Sequence, residues 1–182
     1  MTHTSYEPGT EKFLGFVGGK LTNPESVLIR PADTTAYAQN DLIANSTTAG
    51  NVRAPFFSAP RVPGGSFILR RFRLLTNLTT GFSTFQGLVE FWSKMPTFTN
   101  GDNAAYAVAT GALSYLGRST TSVATQVADG AYCEGDPDVG SEFGIKLGSG
   151  DAVFWSLKEV DATGFTPISG QRFILVPEIY QN

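Results

Sequence analysis

The sequence has very few of the side chains on which most enzyme chemistry depends. Its 182 residues include one cysteine, Cys133, and one histidine, His3, and no Gly-x-x-x-x-Gly-Lys-Ser/Thr phosphate loop. Nucleophilic triads need an imidazole as base, and zinc sites need clustered cysteines and histidines, so the sequence argues against both. A single cysteine forms no internal disulfide, and we expect Cys133 to be a small buried structural residue. We predict no catalytic residues, no cofactor and no enzymatic activity.

Charge and long apolar runs are scarce as well. Charged residues make up 16% of the chain, the net charge is −3 and the pI is about 5.1, so we expect no nucleic acid and no membrane as partner. No apolar run approaches the length of a transmembrane helix, and the polar start of the chain does not resemble a signal peptide. The 20 glycines and the many Ser, Thr and Asn residues instead predict a soluble protein with many turns and a neutral polar surface.

What the sequence does contain is a succession of short apolar runs separated by Gly, Pro, Asn and Asp. This pattern predicts many short strands, and their non-uniform spacing favours an all-β, jelly-roll-like antiparallel β-sandwich. We predict a single β-sandwich domain over residues 26–182, preceded by an extended N-terminal arm over residues 1–25. A first edge strand is the alternative for the arm. The arm carries an apolar anchor of candidate interface residues, namely Phe13, Leu14, Phe16 and Val17.

The alternation of side chains assigns faces to the best-defined of these strands. The predicted ranges are 27–30, 42–44, 55–59, 66–75, 87–95, 113–116, 142–147, 152–159 and 172–180. In 66–75 the outward face is basic, with Arg71 and Arg73, whereas Arg70 breaks the alternation by falling on the inward parity. The residues predicted to point inward in this strand are Ile68, Phe72 and Leu74.

Three further assignments concern the tryptophans, the last strand and one helical turn. Trp92 falls on the face opposite Val89 and Phe91, so it is a candidate surface anchor, although a core or edge-covering role is the favoured interpretation. Trp155 is predicted to be buried. The last strand is apolar on both faces at 173–176 and is therefore predicted to be central and covered on both sides, by overlapping loops or by a partner. Asp102 is predicted to cap a short helical turn over the residues that follow it.

Carboxylates provide the only candidates for a ligand or catalytic site. Glu134, Asp136 and Asp138 stand at alternate positions and could converge on Ca²⁺, but Pro137 does not fit an EF-hand loop, so a solvated acidic loop is favoured. A pair of glutamates for glycoside hydrolysis is left open and disfavoured, because glutamates on strand surfaces are common. The glutamates on predicted strands are Glu90, Glu142, Glu159 and Glu178. Side chains considered for sugar stacking or interfaces are Trp92, Trp155, Tyr106, Tyr115 and Tyr132.

The segment 30–50 combines strand, turn and loop signals. Turns in which a side chain forms a hydrogen bond with the nearby backbone typically contain residues such as Asp33, Thr34 and Thr35. The segment 45–50 is rich in small polar residues of the same kind. We interpret these residues as satisfying turns rather than binding a ligand.

The same segment resembles one found in small structural proteins of tailed bacteriophages. The likeness covers Pro-Ala-Asp-Thr-Thr-Ala-Tyr-Ala at 31–38 and Asp-Leu-Ile-Ala-Asn-Ser at 41–46. Residues 64–74 resemble the family's glycine-led basic strand, 100–106 its mid-chain loop, and 166–170 the turn before its last strand. These stretches are distributed over most of the chain after the arm.

The resemblance implies a virion structural protein that binds and stabilises the phage capsid as a decoration, or cement, protein. It also implies a jelly-roll-like fold and a homotrimer. The partner would be the phage major capsid protein, and the location would be the outer surface of the capsid, after synthesis in the host cytoplasm. A tail or adsorption component of the virion is one alternative, and a carbohydrate-binding β-sandwich module, motivated by Trp92 and the tyrosines, is another.

Overall fold

Antiparallel β-strands make up almost all regular structure in residues 20–136, 143–147 and 149–181, the part of the chain that the computed structural model describes. These residues contain no α-helix, and short 3-10 turns occur at Ala49–Asn51 and Ala112–Ser114. The strands in chain order are β1 (Lys20–Thr22), β2 (Ser26–Ile29), β3 (Leu42–Ile43), β4 (Phe56–Ser58), β5 (Ser66–Thr76), β6 (Gly87–Trp92), β7 (Thr97–Phe98), β8 (Val108–Thr110), β9 (Tyr115–Thr120), β10 (Thr125–Val127), β11 (Gly130–Gly135), β12 (Phe143–Lys146), β13 (Ala152–Glu159) and β14 (Arg172–Gln181).

Two antiparallel sheets pack face to face around one core. In the larger sheet, β14 lies between β5 on one side and β1 and β2 on the other, and β5 also pairs with β11 and β12. In the smaller sheet, β13 lies between β6 on one side and β3 and β4 on the other, and β9 follows β6. The orders β2-β14-β5-β11 and β3-β13-β6-β9 interleave strands from the two ends of the chain, as in the double Greek key of a jelly roll. The predicted fold class is confirmed.

The core between the sheets is rich in aromatic side chains. Trp155 of β13 is fully buried, as predicted, and its indole Nε1 donates to Ser26 Oγ of β2 at 2.8 Å, which ties the smaller sheet to the larger one. Each fully buried aromatic ring contributes about 2 kcal/mol by leaving water. Four rings form the densest part of this core, at centroid distances between 4.2 and 6.4 Å, and they are Phe82, Phe85, Phe165 and Phe173.

A β-bulge interrupts β5 where it pairs with β14. Arg71 lies opposite Glu178 and Leu69 lies opposite Ile179, so that Arg70 is an extra residue without a partner position in β14. An extra residue reverses the parity of the strand, because side chains alternate with a period of two. The irregular parity of Arg70 in the sequence is the trace of this bulge.

The bulge makes one part of the predicted alternation of this strand wrong. Beyond the bulge Phe72 and Leu74 are buried as predicted, but before it the inward residues are Phe67 and Leu69, and Ile68 takes the outward face. A single period-two pattern cannot represent both halves of a bulged strand.

Most predicted strands coincide with observed ones, and the differences concern strand ends and weakly apolar segments. β6 ends at Trp92 and not at 95, and β9 begins at Tyr115 because a 3-10 turn occupies the start of the predicted 113–116 strand. The strands that the sequence did not predict are short or rich in Gly, Ala and Thr, which carry little apolar signal. They are β1, β7, β8, β10 and β11.

The last strand is central, as predicted, but the described residues cover only one of its faces. Phe173, Leu175 and Ile179 are fully buried, whereas Ile174 and Val176 on the other face remain half-buried. The described residues thus do not supply the second cover, and its supply by overlapping loops or by a partner stays a prediction.

The predicted helical turn after Asp102 is also wrong. Asp102 lies in a turn, and the residues after it continue towards β8 without forming a helix. Its carboxylate is engaged by distant residues and does not cap the local backbone, which removes the reason for a helix start.

The predicted arm is described only in its last residues. Phe13, Leu14, Phe16 and Val17 lie outside the described residues. Within the predicted arm, β1 pairs antiparallel with the end of β14, with Lys20 opposite Gln181, and so forms an edge of the larger sheet.

Candidate interaction surface

A buried ion pair organises the region that the sequence singled out. Arg30 follows β2, and its Nη2 lies 2.7 Å from Asp102 Oδ2, with both side chains fully buried. The Tyr37 hydroxyl donates to Asp102 Oδ1 at 2.6 Å and accepts a hydrogen bond from Arg30 Nε. The backbone N–H of Ala44 donates to the same Oδ1 at 2.7 Å. Burial raises the pKa of Tyr37, so its hydroxyl stays protonated. Because the opposite charges compensate each other, this cluster is a structural tie rather than a reactive site.

The tie holds the segment 30–50 against the loop 100–106. The Leu42 N–H donates to the Ala104 carbonyl at 2.8 Å, and the Asn103 N–H donates to the Leu42 carbonyl at 2.9 Å. Together with the buried ion pair, these bonds join two stretches that are far apart in sequence. The segment is therefore part of the architecture.

The polar residues of this segment form the turns that the sequence predicts. Asp33 Oδ1 accepts hydrogen bonds from the Thr35 N–H and the Thr35 hydroxyl, both at 2.7 Å, and these bonds lower the pKa of Asp33. Ser46 Oγ accepts from the Thr48 N–H at 3.1 Å in the same manner. The interpretation as turn chemistry is confirmed for these residues.

The outer face of the smaller sheet is covered by the chain itself. The segment 44–54 and the β7-β8 hairpin fold over it and enclose a second apolar cluster. Tyr106 closes this cover, since its hydroxyl donates to Glu90 Oε2 at 2.6 Å on the same face. The cluster consists of Leu42, Ala44, Val52, Ala54 and Phe98, with Tyr106, Val108 and Phe154 packed against it.

This cover also buries Trp92, for which partial exposure was predicted. Only 4% of Trp92 is exposed, its Nε1 donates to Ser156 Oγ at 3.2 Å, and its ring packs edge-on against Tyr115 at 5.0 Å. Partial exposure of Trp92 is therefore wrong, and the favoured interpretation of a core or edge-covering role is confirmed. The parity of β6 was correct, but parity alone cannot show that other parts of the chain cover the outward face.

The outer face of the larger sheet has no such cover among the described residues. Val27 is 38% exposed, Ile29 53% and Tyr132 37%. Val27 of β2 lies opposite Ile174 of β14, which lies opposite Leu75 of β5, which lies opposite Tyr132 of β11. One apolar row thus crosses four strands, and we call this surface the open face. Its apolar residues are Val27, Ile29, Leu75, Val127, Tyr132, Ile174 and Val176.

Two charged rows run beside the apolar row on the open face. At the bulge, Arg70 Nη1 and Arg71 Nε contact the two oxygens of Glu178 at 2.9 and 2.8 Å. These hydrogen bonds, that of Arg71 foremost, lower the pKa of Glu178. Nearer the apolar row, Arg73 lies directly opposite Glu134, and both side chains are exposed without forming an ion pair with a described residue.

A second exposed apolar group lies at the end of the smaller sheet. Leu113 is fully exposed on the 3-10 turn that precedes β9, and Met95 and Tyr115 beside it are each 41% exposed. Met95 and Leu113 line a groove of about 420 Å³. Large apolar side chains exposed together are more typical of contact surfaces than of ordinary solvent-facing turns.

The glutamates that the sequence left open for hydrolysis are separated by the fold. Glu90 points to the covered outer face of the smaller sheet, Glu159 points into the core from the neighbouring β13, and Glu178 lies on the open face of the other sheet. Paired carboxylates of glycosidases flank one bond at roughly 5–10 Å from each other. These three do not share a cleft, and Glu142 lies outside the described residues.

Glu159 itself is an unusual buried carboxylate. Oε1 accepts from the Asp161 N–H at 2.7 Å, whereas Oε2 has no partner among the described residues. Burial, with Asp161 as a nearby like charge, raises the pKa of Glu159 to about 7. The side chain has no exposed surface from which a substrate could be reached, so we assign it to the stability of the fold.

The candidate calcium site lies only partly within the described residues. Glu134 is an outward residue of β11, and the backbone carbonyl of Asp136 accepts a hydrogen bond from Ser119 Oγ, while Asp138 lies outside the described residues. Among the residues that the structure describes, no three His, Cys, Asp or Glu side chains are grouped to hold a metal ion.

Cys133 is the structural residue that the sequence predicts. It is 1% exposed on the inward face of β11, and burial raises the pKa of its thiol to about 11. At neutral pH the group therefore stays a protonated thiol with low reactivity.

The sequence pattern of β2 carries a signal for the open face. In β2, Val27 and Ile29 alternate with Ser26 and Leu28, so an apolar residue stands at every position except the first. A strand that is apolar on both parities indicates either cover on both sides or a contact surface, and only the structure separates the two.

Comparisons with known proteins give no functional assignment. No family model and no curated protein matches the chain. Among solved structures, the chain is similar to murine APRIL in a crystal structure at pH 5.0, with 12% identity and a TM-score of 0.27 over 86% of this chain and 99% of that one. A likeness this distant carries no argument about function. None of the described helical turns is long and apolar enough to cross a membrane.

Proposed function

We propose that the protein is a non-enzymatic structural component of a tailed-phage virion that decorates the capsid and stabilises its lattice. The observation that supports this best is the open face, an apolar surface that the described residues leave uncovered. Exposed apolar rows bordered by charges are typical of protein contact surfaces. The resemblance to phage structural proteins supplies the setting in which such contacts repeat.

The physical demands on a decoration protein match this architecture. It must hold its shape while it bridges neighbouring subunits, and it needs contact area more than chemistry. The buried tie between Arg30 and Asp102 and the self-covered smaller sheet give a rigid body, and the open face and the group around Leu113 give that body two exposed apolar surfaces. One surface can meet other decoration subunits while the other meets the capsid.

The resemblance adds partners and a place to this proposal. The major capsid protein is the proposed partner on the outer surface of the capsid, the homotrimer is the proposed assembly, and the host cytoplasm is the proposed location before assembly. A tail or adsorption component of the same virion stays the alternative. The carbohydrate-binding module loses its main motivation, because Trp92 is buried.

Binding to purified capsids tests the proposal. We expect the protein to co-sediment with capsids of its virion that lack it, to saturate at hundreds of copies per particle, and to appear on the capsid surface in cryo-electron microscopy maps. If the group at the end of the smaller sheet contacts the capsid, Leu113→Asp should weaken capsid binding. Val62→Asp, at another exposed loop position, is the matched control and should leave binding unchanged. Saturation at a few copies, or density only at the tail, would show that the decoration proposal is wrong.

A further inference from the structure

We infer that a second copy of this chain covers the open face, through a two-fold contact in which Arg73 of each copy lies opposite Glu134 of the other. The inference deepens the proposed function by naming the partner on this face, and rests on it only for the biological setting. Three properties of the open face carry the inference: its size, the state of its charges and their arrangement in the sheet.

The open face is large enough for a specific contact. The strands around this contact, β14, β5, β11 and β10, have ten, eleven, six and three residues. At about 4.8 Å between strands and about 3.3 Å per residue they give a face of roughly 500 Å². Each partner in a standard interface buries about 800 Å². The outer face of the larger sheet can therefore supply most of one side of an interface, and loops at its rim can supply the remainder.

The charges on the open face are of two kinds. Glu178 is already neutralised within the chain by Arg70 and Arg71. Arg73 and Glu134 are both exposed and form no ion pair with a described residue, although they are direct neighbours across β5 and β11. They form an exposed neighbouring pair of opposite charges on this face that a partner can contact.

The arrangement of these charges is self-complementary. Residues directly opposite each other in neighbouring strands stand about 5 Å apart and point the same way. A two-fold axis that runs parallel to β5 and β11, midway between them and above the sheet, exchanges the two positions. It therefore brings Arg73 of one copy over Glu134 of the other, twice in each pair of copies.

The same rotation also matches the end of the apolar row that lies on β5 and β11. Leu75 and Tyr132 lie directly opposite each other one step along these strands, so the axis brings Leu75 of one copy over Tyr132 of the other. Packed sheets cross at about 30°, and residues beside the axis stay in contact despite this crossing. A two-fold contact through the open face is compatible with a trimer that forms through another surface of the chain. Neighbouring trimers would then contact each other through their open faces.

Charge reversal tests this contact. We expect sedimentation equilibrium of the full chain at low salt to show association in which Arg73→Glu and Glu134→Arg each raise the dissociation constant at least about tenfold, because each variant places two like-charged pairs at the contact. The double variant Arg73→Glu/Glu134→Arg restores both pairs with reversed sign. We expect its dissociation constant to return to within about threefold of the original.

Two controls separate the contact from folding. Arg61→Glu makes the same charge change at an exposed position in the loop between β4 and β5, outside the strands of the proposed contact, and should leave association unchanged. Circular dichroism of all variants should show the same β-structure, since Arg73 and Glu134 are exposed.

Several outcomes would overturn the inference. A wild-type chain that stays monomeric at several hundred micromolar has no such contact, single variants without effect place association elsewhere, and a double variant that is not restored refutes the two-fold pairing. Any of these results combined with normal capsid binding would leave the proposed function standing while the inference fails.

Discussion

At the scale of single residues, Glu159 makes the clearest link between structure and pH. Its folded pKa of about 7 lies above the ordinary value of 4.5, so the folded protein holds this proton more tightly than the unfolded chain. The corresponding stability is complete below about pH 4.5 and is lost as the pH rises through about 7. We expect Glu159→Gln, which cannot ionise, to unfold at higher denaturant than the wild type at pH 8, by up to about 3 kcal/mol, with a smaller difference at pH 4.

Glu178 is the matched control for this pH dependence, because its environment acts in the opposite direction. Hydrogen bonds from Arg71 and Arg70 lower its pKa, so its contribution to stability is present at neutral pH and is lost as the pH falls. Glu178→Gln should therefore lose stability at pH 8. If both variants shift in the same direction, the local assignments are wrong.

The buried tie predicts a large loss from a single substitution. Asp102→Ala leaves the Arg30 guanidinium buried without its counter-charge, and it removes the acceptor of Tyr37 and Ala44. Breaking a buried pair in this way costs about 3–5 kcal/mol, which urea denaturation measures directly. Asp33→Ala, in the exposed turn of the same segment, removes only local bonds to Thr35 and should cost about 1 kcal/mol or less. Similar losses in the two variants would contradict the role of the tie.

At the scale of elements, one glycine permits the crossing of the segment 30–50 with the loop 100–106. A Cβ at Gly101 would lie 2.0 Å from the Thr47 carbonyl oxygen, a backbone atom that cannot move aside without displacing the segment. We expect Gly101→Ala to destabilise the protein by about 1–3 kcal/mol. Gly50→Ala is the control, since a Cβ there meets nothing within 4 Å and needs no unusual backbone angle. A neutral Gly101→Ala would mean that this crossing is loose.

Also at the scale of elements, the sequence predicted the long apolar strands and their spacing along the chain well enough to give the fold class. It failed where a contact joins distant residues. The parity change in β5 depends on the bulge at Arg70, and the burial of Trp92 depends on the β7-β8 hairpin, whose strands are only two and three residues long. The hairpin strands carry too little apolar signal to be predicted, and the irregular parity of Arg70 alone does not distinguish a bulge from a charged residue at a strand edge.

The candidate site was harder to predict than the fold for the same reason. The ion pair between Arg30 and Asp102 joins residues 72 positions apart, and Asp102 taken locally looks like a helix cap. The open face depends on which of the two sheets the chain covers with its own loops. A strand with apolar residues on both faces needs to be covered on both faces, but its sequence does not show what covers the second one.

At the scale of the whole molecule, loops of the chain cover the outer face of the smaller sheet, whereas the described residues leave the outer face of the larger sheet open. This difference can be measured as the effect of substitutions on the free energy of unfolding. Leu42 on the smaller sheet is 1% exposed under the covering loops, whereas Ile29 on the open face is 53% exposed, although both point outward from their sheets. We expect Leu42→Ala to lower the free energy of unfolding by about 2–5 kcal/mol and Ile29→Ala by less than about 1 kcal/mol. Denaturation at submicromolar protein keeps association from contributing. Equal losses at the two positions would mean that a single chain covers both faces, and neither the proposed function nor the two-fold contact could then rest on the open face.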